Sequence, residues 1–256
     1  MTKWRLIGLE KHDAAMNMAI DQAISESGAS GQSPATIRFY QWEKPAVSLG
    51  AYQALSDVDL GVCRERGIEI VRRMTGGRAV YHGTSDFTYC VVVPIKTFNY
   101  SITTAYRSVC NSILIALKKI GIKGRLEQSN DVMVDERKIS GNAAKVIDSG
   151  WYLQHGTIHY ELDRDLLSRL FHNDLKDLEL KSTSILEHRK ISKEDVYKAL
   201  IEGFTSDKEV CAGPLTSSEI LRAKDLAFMK YKNVTQPRGA YARPKGACSV
   251  LSGERI

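Results

Sequence analysis

Arg72, Arg73 and Arg78 flank the pair Gly76-Gly77 in "VRRMTGGRAVYHGTSDFTY" (71–89), and His82 follows. Arginine offers fixed charge and forked donors that suit a carboxylate or a phosphate. Adjacent glycines admit positive φ and let another molecule come close to the main chain. Such a loop can cradle an anion. It can equally be a plain basic hairpin turn, and the stretch alone does not choose. A second group lies in "NDVMVDERKISGNAAK" (130–145), where a strand–turn–strand would set Asp131 and Lys138 on one hairpin. The lysine could stabilise developing negative charge, and the aspartate could hold Mg²⁺ beside phosphate oxygens. The small residues of "SGNAA" leave room for a ligand, although "DERK" alone reads as a charged surface turn. In "LQHGTI" (153–158), His155 precedes Gly156. A lone histidine is more often a hydrogen-bonded structural group than a catalyst, and the same holds for His82.

These groups need elements to hold them. "KWRLIGL" reads as a strand and "DAAMNMAIDQAISES" as a helix capped by Asp13, with Met16, Ile20, Ala23 and Ile24 as its apolar face. "ATIRFYQWE" and "AVSLGAYQ" are strands either side of a turn at Lys44-Pro45. A helix in "DVDLGVCRERG" stops at Gly67, the strand "IEIVRR" enters the glycine turn, and "FTYCVVVP" leaves it. The longest helical pattern is "ITTAYRSVCNSILIALKKIG", ended by Gly121. An antiparallel meander follows, with turns at Asp135-Glu136 and Ser149-Gly150. Further helices lie in "RDLLSRLF", "SKEDVYKALIEGF" (Ser192 and Asp195 as a capping pair) and "TSSEILRAKDLAFMKYKNV"; the tail "TQPRGAYARPKGACSVLSGERI" is irregular. This order predicts an α+β fold, a mixed and antiparallel sheet flanked by helices.

A chain of 256 residues suits one large domain, or a main domain with a small annex. Its 36 basic residues are scattered among 30 acids instead of forming a stripe interleaved with aromatics, which argues against nucleic acid. The net charge of +6 fits an enzyme for an anionic nucleotide or an acidic protein partner. No apolar run approaches the roughly 20 residues of a membrane span. The N-terminus carries charges where a signal peptide needs its apolar core, so a cytoplasmic protein without membrane contact is expected. Five cysteines, at 63, 90, 110, 211 and 248, form no CxxC pair and read as reduced thiols.

Taken together, "NMAIDQAI", "TIRFYQWEKPAVSLGAYQ", "RRMTGGRAVYH", "NDVMVDERKISGNAA", "LQHGTI" and "KSTSIL" stand in an order that resembles the lipoate–protein ligase A and octanoyltransferase superfamily. The resemblance implies the fold of the biotin and lipoate–protein ligases. Residues 1–205 would form the catalytic domain, and 206–256 a C-terminal helix and irregular tail, part of that domain or a small annex. Ligases of the family turn lipoate and MgATP into lipoyl-adenylate, then pass the acyl group to a lysine of an acceptor domain of H-protein or 2-oxoacid dehydrogenase E2 type. The resemblance implies that residues 72–82 wrap the acyl-adenylate. Gly76 and Gly77 permit the turn, Arg72 and Arg78 belong to the anion-binding loop, and Ala79, Val80, Tyr81 and His82 lie by the nucleotide. Lys138 matches the essential lysine. Asn130 and Asp131 match the step that contacts phosphate and Mg²⁺, Lys145 is a further candidate for the ATP phosphates, and His155 and Gly156 line the acyl pocket. A separate small accessory subunit, or none, stays open.

One departure divides the family. Its ligases carry Gly-Gly-Gly where this chain has Gly76-Gly77-Arg78, a version that resembles the octanoyltransferase branch. Those enzymes form an acyl-thioester on a cysteine and use no ATP. The two places where they carry it hold Lys123 or its neighbours and Tyr152 here, and no cysteine lies between Cys110 and Cys211. On that ground the expectation is an ATP-dependent lipoate–protein ligase that activates lipoate or octanoate. The alternative is a cysteine-dependent octanoyl or lipoyl transferase drawing on acyl carrier protein or another lipoyl protein, with Cys90 as its nucleophile.

Overall fold

The computed structural model describes residues 3–127, 130–147 and 149–232. The chain begins with β1 (Trp4–His12), α1 (Ala14–Ala29), β2 (Thr36–Trp42), β3 (Ala46–Leu49), α2 (Leu60–Glu65), β4 (Glu69–Arg72), β5 (Val80–His82) and β6 (Phe87–Pro94). Helix α3 (Ile102–Lys119) leads into the meander β7 (Arg125–Glu127), β8 (Asp131–Val134), β9 (Arg137–Ile147) and β10 (Trp151–Ile158). Helices α4 (Arg164–Leu170), α5 (Asn173–Leu180), α6 (Ile185–His188) and α7 (Lys193–Thr205), strand β11 (Val210–Ala212) and helix α8 (Ser217–Leu226) follow. The Asp13 carboxylate caps α1 by accepting from the Met16 N–H at 2.7 Å. Thr216 and Glu219 form a reciprocal capping box on α8.

The strands divide into two sheets. Eight form a mixed sheet in the order β11-β1-β2-β6-β10-β9-β8-β7, and three form a small one, β4-β3-β5. In the large sheet β1 runs parallel to β2 and β11, and the rest is antiparallel. Helices cover both of its faces, so "FTYCVVVP" reads as a continuous apolar run instead of an alternation. Tyr89, Val91 and Val93 enter the core under α3 and α7, while Cys90 and Val92 enter the core under α1 and α8. The small sheet packs Val47, Leu49 and Tyr81 against Val62, Leu166, Leu170 and Phe171 of the loops and helices around it.

The predicted α+β architecture is the observed one, as are the Asp13 cap, the Asp135-Glu136 turn (φ 45° and 61°) and Gly121 in the left-handed region (φ 76°). The plain hairpin at the glycine turn is absent. Strand β4 pairs in parallel with β3, β5 pairs with the other edge of β3, and β6 belongs to the large sheet. Strands β5, β7 and β11 and helices α5 and α6, too short for a periodic signal, are additions to the sequence reading. The irregular tail and Cys248 lie outside the described residues. Strand β11 adds to the β1 edge and α8 lies against α1. Among the described residues no helix is long and apolar enough to cross a membrane.

Candidate active site

A cavity of about 300 Å³ is lined from both sheets. On the small-sheet side its shape depends on Arg73, the first residue beyond β4. Its Nη2 donates to the carbonyls of Gly76 (2.7 Å) and Arg78 (2.8 Å), and its Nη1 to the carbonyl of Ser48 (2.7 Å). One buried guanidinium thus satisfies the inward carbonyls of the glycine loop, as a buried charge requires. Burial lowers its pKa to about 10, so it remains charged at neutral pH. Gly77 has φ +94°, and a Cβ there would lie 2.8 Å from Arg73 Nη2. Gly50 is the partner: a Cβ on it would sit 1.8 Å from the Gly77 carbonyl oxygen, so the two loops touch through bare backbone.

A hydrogen-bond chain ties this loop to the large sheet. Arg73 Nε donates to Thr75 Oγ1 (3.1 Å), and Thr75 Oγ1 lies 2.7 Å from His155 Nε2. His155 Nδ1 meets Asp21 Oδ2 at 3.0 Å, and Asp21 also accepts from Arg38 (2.8 Å) and Tyr40 (3.0 Å). Only one head-to-tail assignment uses every donor: Nδ1–H donates to Asp21, and Nε2 accepts from Thr75. This explains the polar Asn17 and Asp21 on the buried face of α1. Asn17 Oδ1 takes a second Arg38 donor at 2.8 Å.

The opposite wall is the meander. Lys138 sits at a β-bulge, where Val132 pairs with Ser140 but Met133 pairs with Lys138. The extra residue, Ile139, turns into the core while Lys138 faces the cavity. The segment after α5 pins the bulge: the Lys138 N–H donates to the Lys181 carbonyl (3.2 Å), and the Lys138 carbonyl accepts from Thr183 (2.8 Å). A Cβ built on Gly141 would lie 3.6 Å from Lys138 Nζ, which locates the ammonium over that glycine. Asp131 and Glu179 share its neighbourhood. Burial raises both carboxyls above their ordinary pKa, against the pull of the Lys138 charge. Gly156 has no room for a side chain, because a Cβ would fall 2.0 Å from Asn142 Oδ1.

Of the residues predicted from sequence, Gly77, Arg78, Ala79, Val80, His82, Asn130, Asp131, Lys138, His155 and Gly156 line this one cavity. Four do not. Arg72 turns the other way and donates to the carbonyls of Gly50 (2.9 Å) and Gln53 (2.7 Å), since neighbours in an extended chain point to opposite sides. Gly76, half-exposed in the loop, gives only its carbonyl to Arg73, Tyr81 packs into the core of the small sheet, and Lys145 is exposed further along β9. Sequence reasoning missed Ser48 and Glu179 as cavity residues, and had Arg73 only as one arginine of the loop and Asn142 only within "SGNAA". Arg73 carried a signal in its alternation with Arg72; Ser48 and Glu179 carried none.

None of the described cysteines reaches the cavity. Cys63, Cys90 and Cys110 are buried and Cys211 is exposed, and none of the four lines it. Burial pushes the thiols up, Cys63 to about 11 and Cys110 to about 12, and Cys90 is raised well above its usual value. Cys90 faces Asp21 under α1 and is no thiolate nucleophile there. Among the described residues no three His, Cys, Asp or Glu side chains gather to hold a metal.

Comparison with known proteins places this geometry. The bipartite lipoate protein ligase of Thermoplasma acidophilum superposes with a TM-score of 0.80 at 27% identity, covering 91% of this chain and 94% of that one. A lipoate-protein ligase A bound with ATP gives 0.80 at 27% identity, covering 91% and 97%. Among curated relatives, octanoyltransferase LipM of Brevibacillus brevis is 31% identical over 90% of this chain and 97% of its own length. The LipM of Clostridioides difficile is 32% identical over 91% and 97%. These relatives overturn the expectation of an ATP-dependent lipoate–protein ligase, because the full-length likeness in sequence is to transferases, the alternative reading. With it falls the acyl-adenylate as the molecule wrapped by residues 72–82. The motifs, the α+β fold and a match to the lipoyl protein ligase A/B catalytic-domain model over residues 13–205 agree, and the chain belongs to that family.

Proposed function

We propose that the protein transfers an octanoyl or lipoyl group from a thioester to the lysine of a lipoyl-type acceptor domain. The observation that carries this reading is the likeness to octanoyltransferases over nine tenths of the chain, at 30–32% identity. The cavity supports it. Met18, Tyr40 and Trp42 line one side of the cavity and suit an acyl chain, and Lys138 faces the same space, which suits a carbonyl oxygen that gains charge. An ammonium placed there stabilises the tetrahedral intermediate more than the ground state, which is what raises a rate. Arg78 and Gly77, exposed at the rim, suit the phosphate-bearing carrier arm of an acyl thioester. A thioester brings its own leaving group, so no step calls on ATP or Mg²⁺. For the acceptor, the support is the Thermoplasma neighbour, a ligase described together with its E2 lipoyl domain. Free thiols at Cys63, Cys90 and Cys110 suit a reducing cytoplasm.

The test uses the full chain, octanoyl-acyl carrier protein and a lipoyl domain, with nucleotide removed by apyrase. Octanoyl should reach the acceptor lysine, as read by mass spectrometry. An unmodified acceptor with every thioester offered contradicts the reading.

A further inference from the structure

A thioester acyl group can pass through an enzyme-bound intermediate before it reaches the acceptor, which takes a nucleophilic group in the cavity, and no described cysteine lines it. We propose that Ser48 is that group, its Oγ taking the acyl chain as an ester with His82 as the base. The inference rests on the acyl-transfer reading.

Three observations converge on this pair. Ser48 lies in β3, lines the cavity, and places Oγ 2.8 Å from His82 Nε2. The imidazole is held on its other side, with Nδ1 2.9 Å from Thr157 Oγ1 and the ring stacked on Trp42 at 4.2 Å and 17°. Arg73 Nη1 approaches Ser48 Oγ to 3.3 Å and offers charge to an oxygen that is losing its proton. Nucleophile, base and orienting group thus stand in hydrogen-bond reach of one another, the arrangement that activates a hydroxyl. With Nδ1–H donating to Thr157, Nε2 keeps its lone pair for the Ser48 hydroxyl. Thr157 can then donate to Thr88 Oγ1 at 3.1 Å, and Thr88, which accepts from Trp42 Nε1 at 3.0 Å, has the cavity for its own proton. Burial, with the charges of His159 and Arg73, holds the His82 pKa well below its usual value, so the ring is an unprotonated base at neutral pH. The rival cavity groups are engaged: His155 is committed at both nitrogens, and Tyr40 donates to Asp21.

In the first step Ser48 Oγ bonds to the acyl carbon as its proton moves to His82 Nε2. The C–S bond breaks, and the departing thiolate takes that proton. In the second step the unprotonated amine of the acceptor lysine attacks the ester carbonyl. The C–O bond breaks, and one amine proton returns through His82 to Ser48 Oγ.

The experiment treats the full chain with octanoyl-acyl carrier protein, without acceptor, and maps the adduct by peptide mass. Octanoyl should sit on the peptide containing Ser48 and survive neutral hydroxylamine, as an oxygen ester does and a thioester does not. Ser48→Ala should lose both the adduct and more than about 10³-fold in transfer. Ser48→Cys should keep an adduct that hydroxylamine now removes, a readout no folding defect can imitate. If the parent transfers octanoyl and Ser48→Ala transfers equally well, or if the adduct maps to a cysteine, the Ser48 assignment is wrong and the transferase reading stands. If the parent transfers from no thioester, both fall.

Discussion

The two walls of the cavity are built on opposite principles. The glycine-loop wall is rigid: Arg73 spends its donors on the carbonyls of Ser48, Gly76 and Arg78, and Gly50 lets the backbone of Gly77 pass at contact distance. The meander wall instead presents charge to the cavity, with Lys138 on a bulge and the half-buried Asp131 and buried Glu179 carboxyls around it. The lesson is that the two basic groups are held differently. Arg73 is tied down by protein carbonyls, and Lys138 faces the cavity.

Lys138→Ala should have the largest effect. Removing one such electrostatic donor lowers transfer about 10²–10³-fold, while the thermal midpoint should fall less than in Arg73→Leu, because no hydrogen bond of the fold is lost and only the attraction to the Asp131 and Glu179 carboxyls goes. A midpoint that falls along with the rate would make Lys138 structural and erase the contrast. Arg73→Leu should do the reverse. Each buried carbonyl left without its donor costs about 1–3 kcal/mol, seen as a lower denaturant midpoint, and the loss of rate should follow the loss of fold. Gly77→Ala sharpens the comparison within the loop. Its left-handed φ and the nearby Arg73 should make alanine cost about 1–3 kcal/mol, whereas Gly76→Ala, with open space around it and no positive φ, should stay within about 0.5 kcal/mol. Equal costs at both would mean the loop is not held as described. The smallest effect is expected from replacing Cys63, Cys90, Cys110 and Cys211 together by alanine. Transfer from octanoyl-acyl carrier protein should remain within about tenfold of the parent, with only a packing loss at the buried positions; a dead but folded variant would put a thiol back in the chemistry.

The meander wall was legible in the sequence because its residues are close along the chain. Asn130, Asp131 and Lys138 span one hairpin, and His155-Gly156 lies on the next strand, so alternation and two turns bring them together. The loop wall was only half legible. The glycines announced a tight loop, but which arginine holds it depends on the parallel pairing of β3 with β4, a non-local contact that leaves no local period. Arg72 and Arg73 are indistinguishable in composition and differ only in the side of the chain they occupy. Ser48 entered the site through that same pairing, and Glu179 through a short helix whose C-terminal end meets β9 by main-chain bonds from 181 and 183. The chemistry went wrong where it leaned on an absence. A cysteine missing from two motif positions says where the nucleophile is not. It does not say that the acyl group arrives on a nucleotide.

The most direct test of acyl transfer from a thioester offers both donors in one tube. Deuterated octanoyl-acyl carrier protein competes with ¹³C-labelled octanoate plus MgATP for the same lipoyl domain, and the mass of the modified lysine reports which was used. The account predicts the deuterium label, with Lys138→Ala suppressing it. An acceptor carrying ¹³C, and carrying it only when MgATP is present, would contradict it.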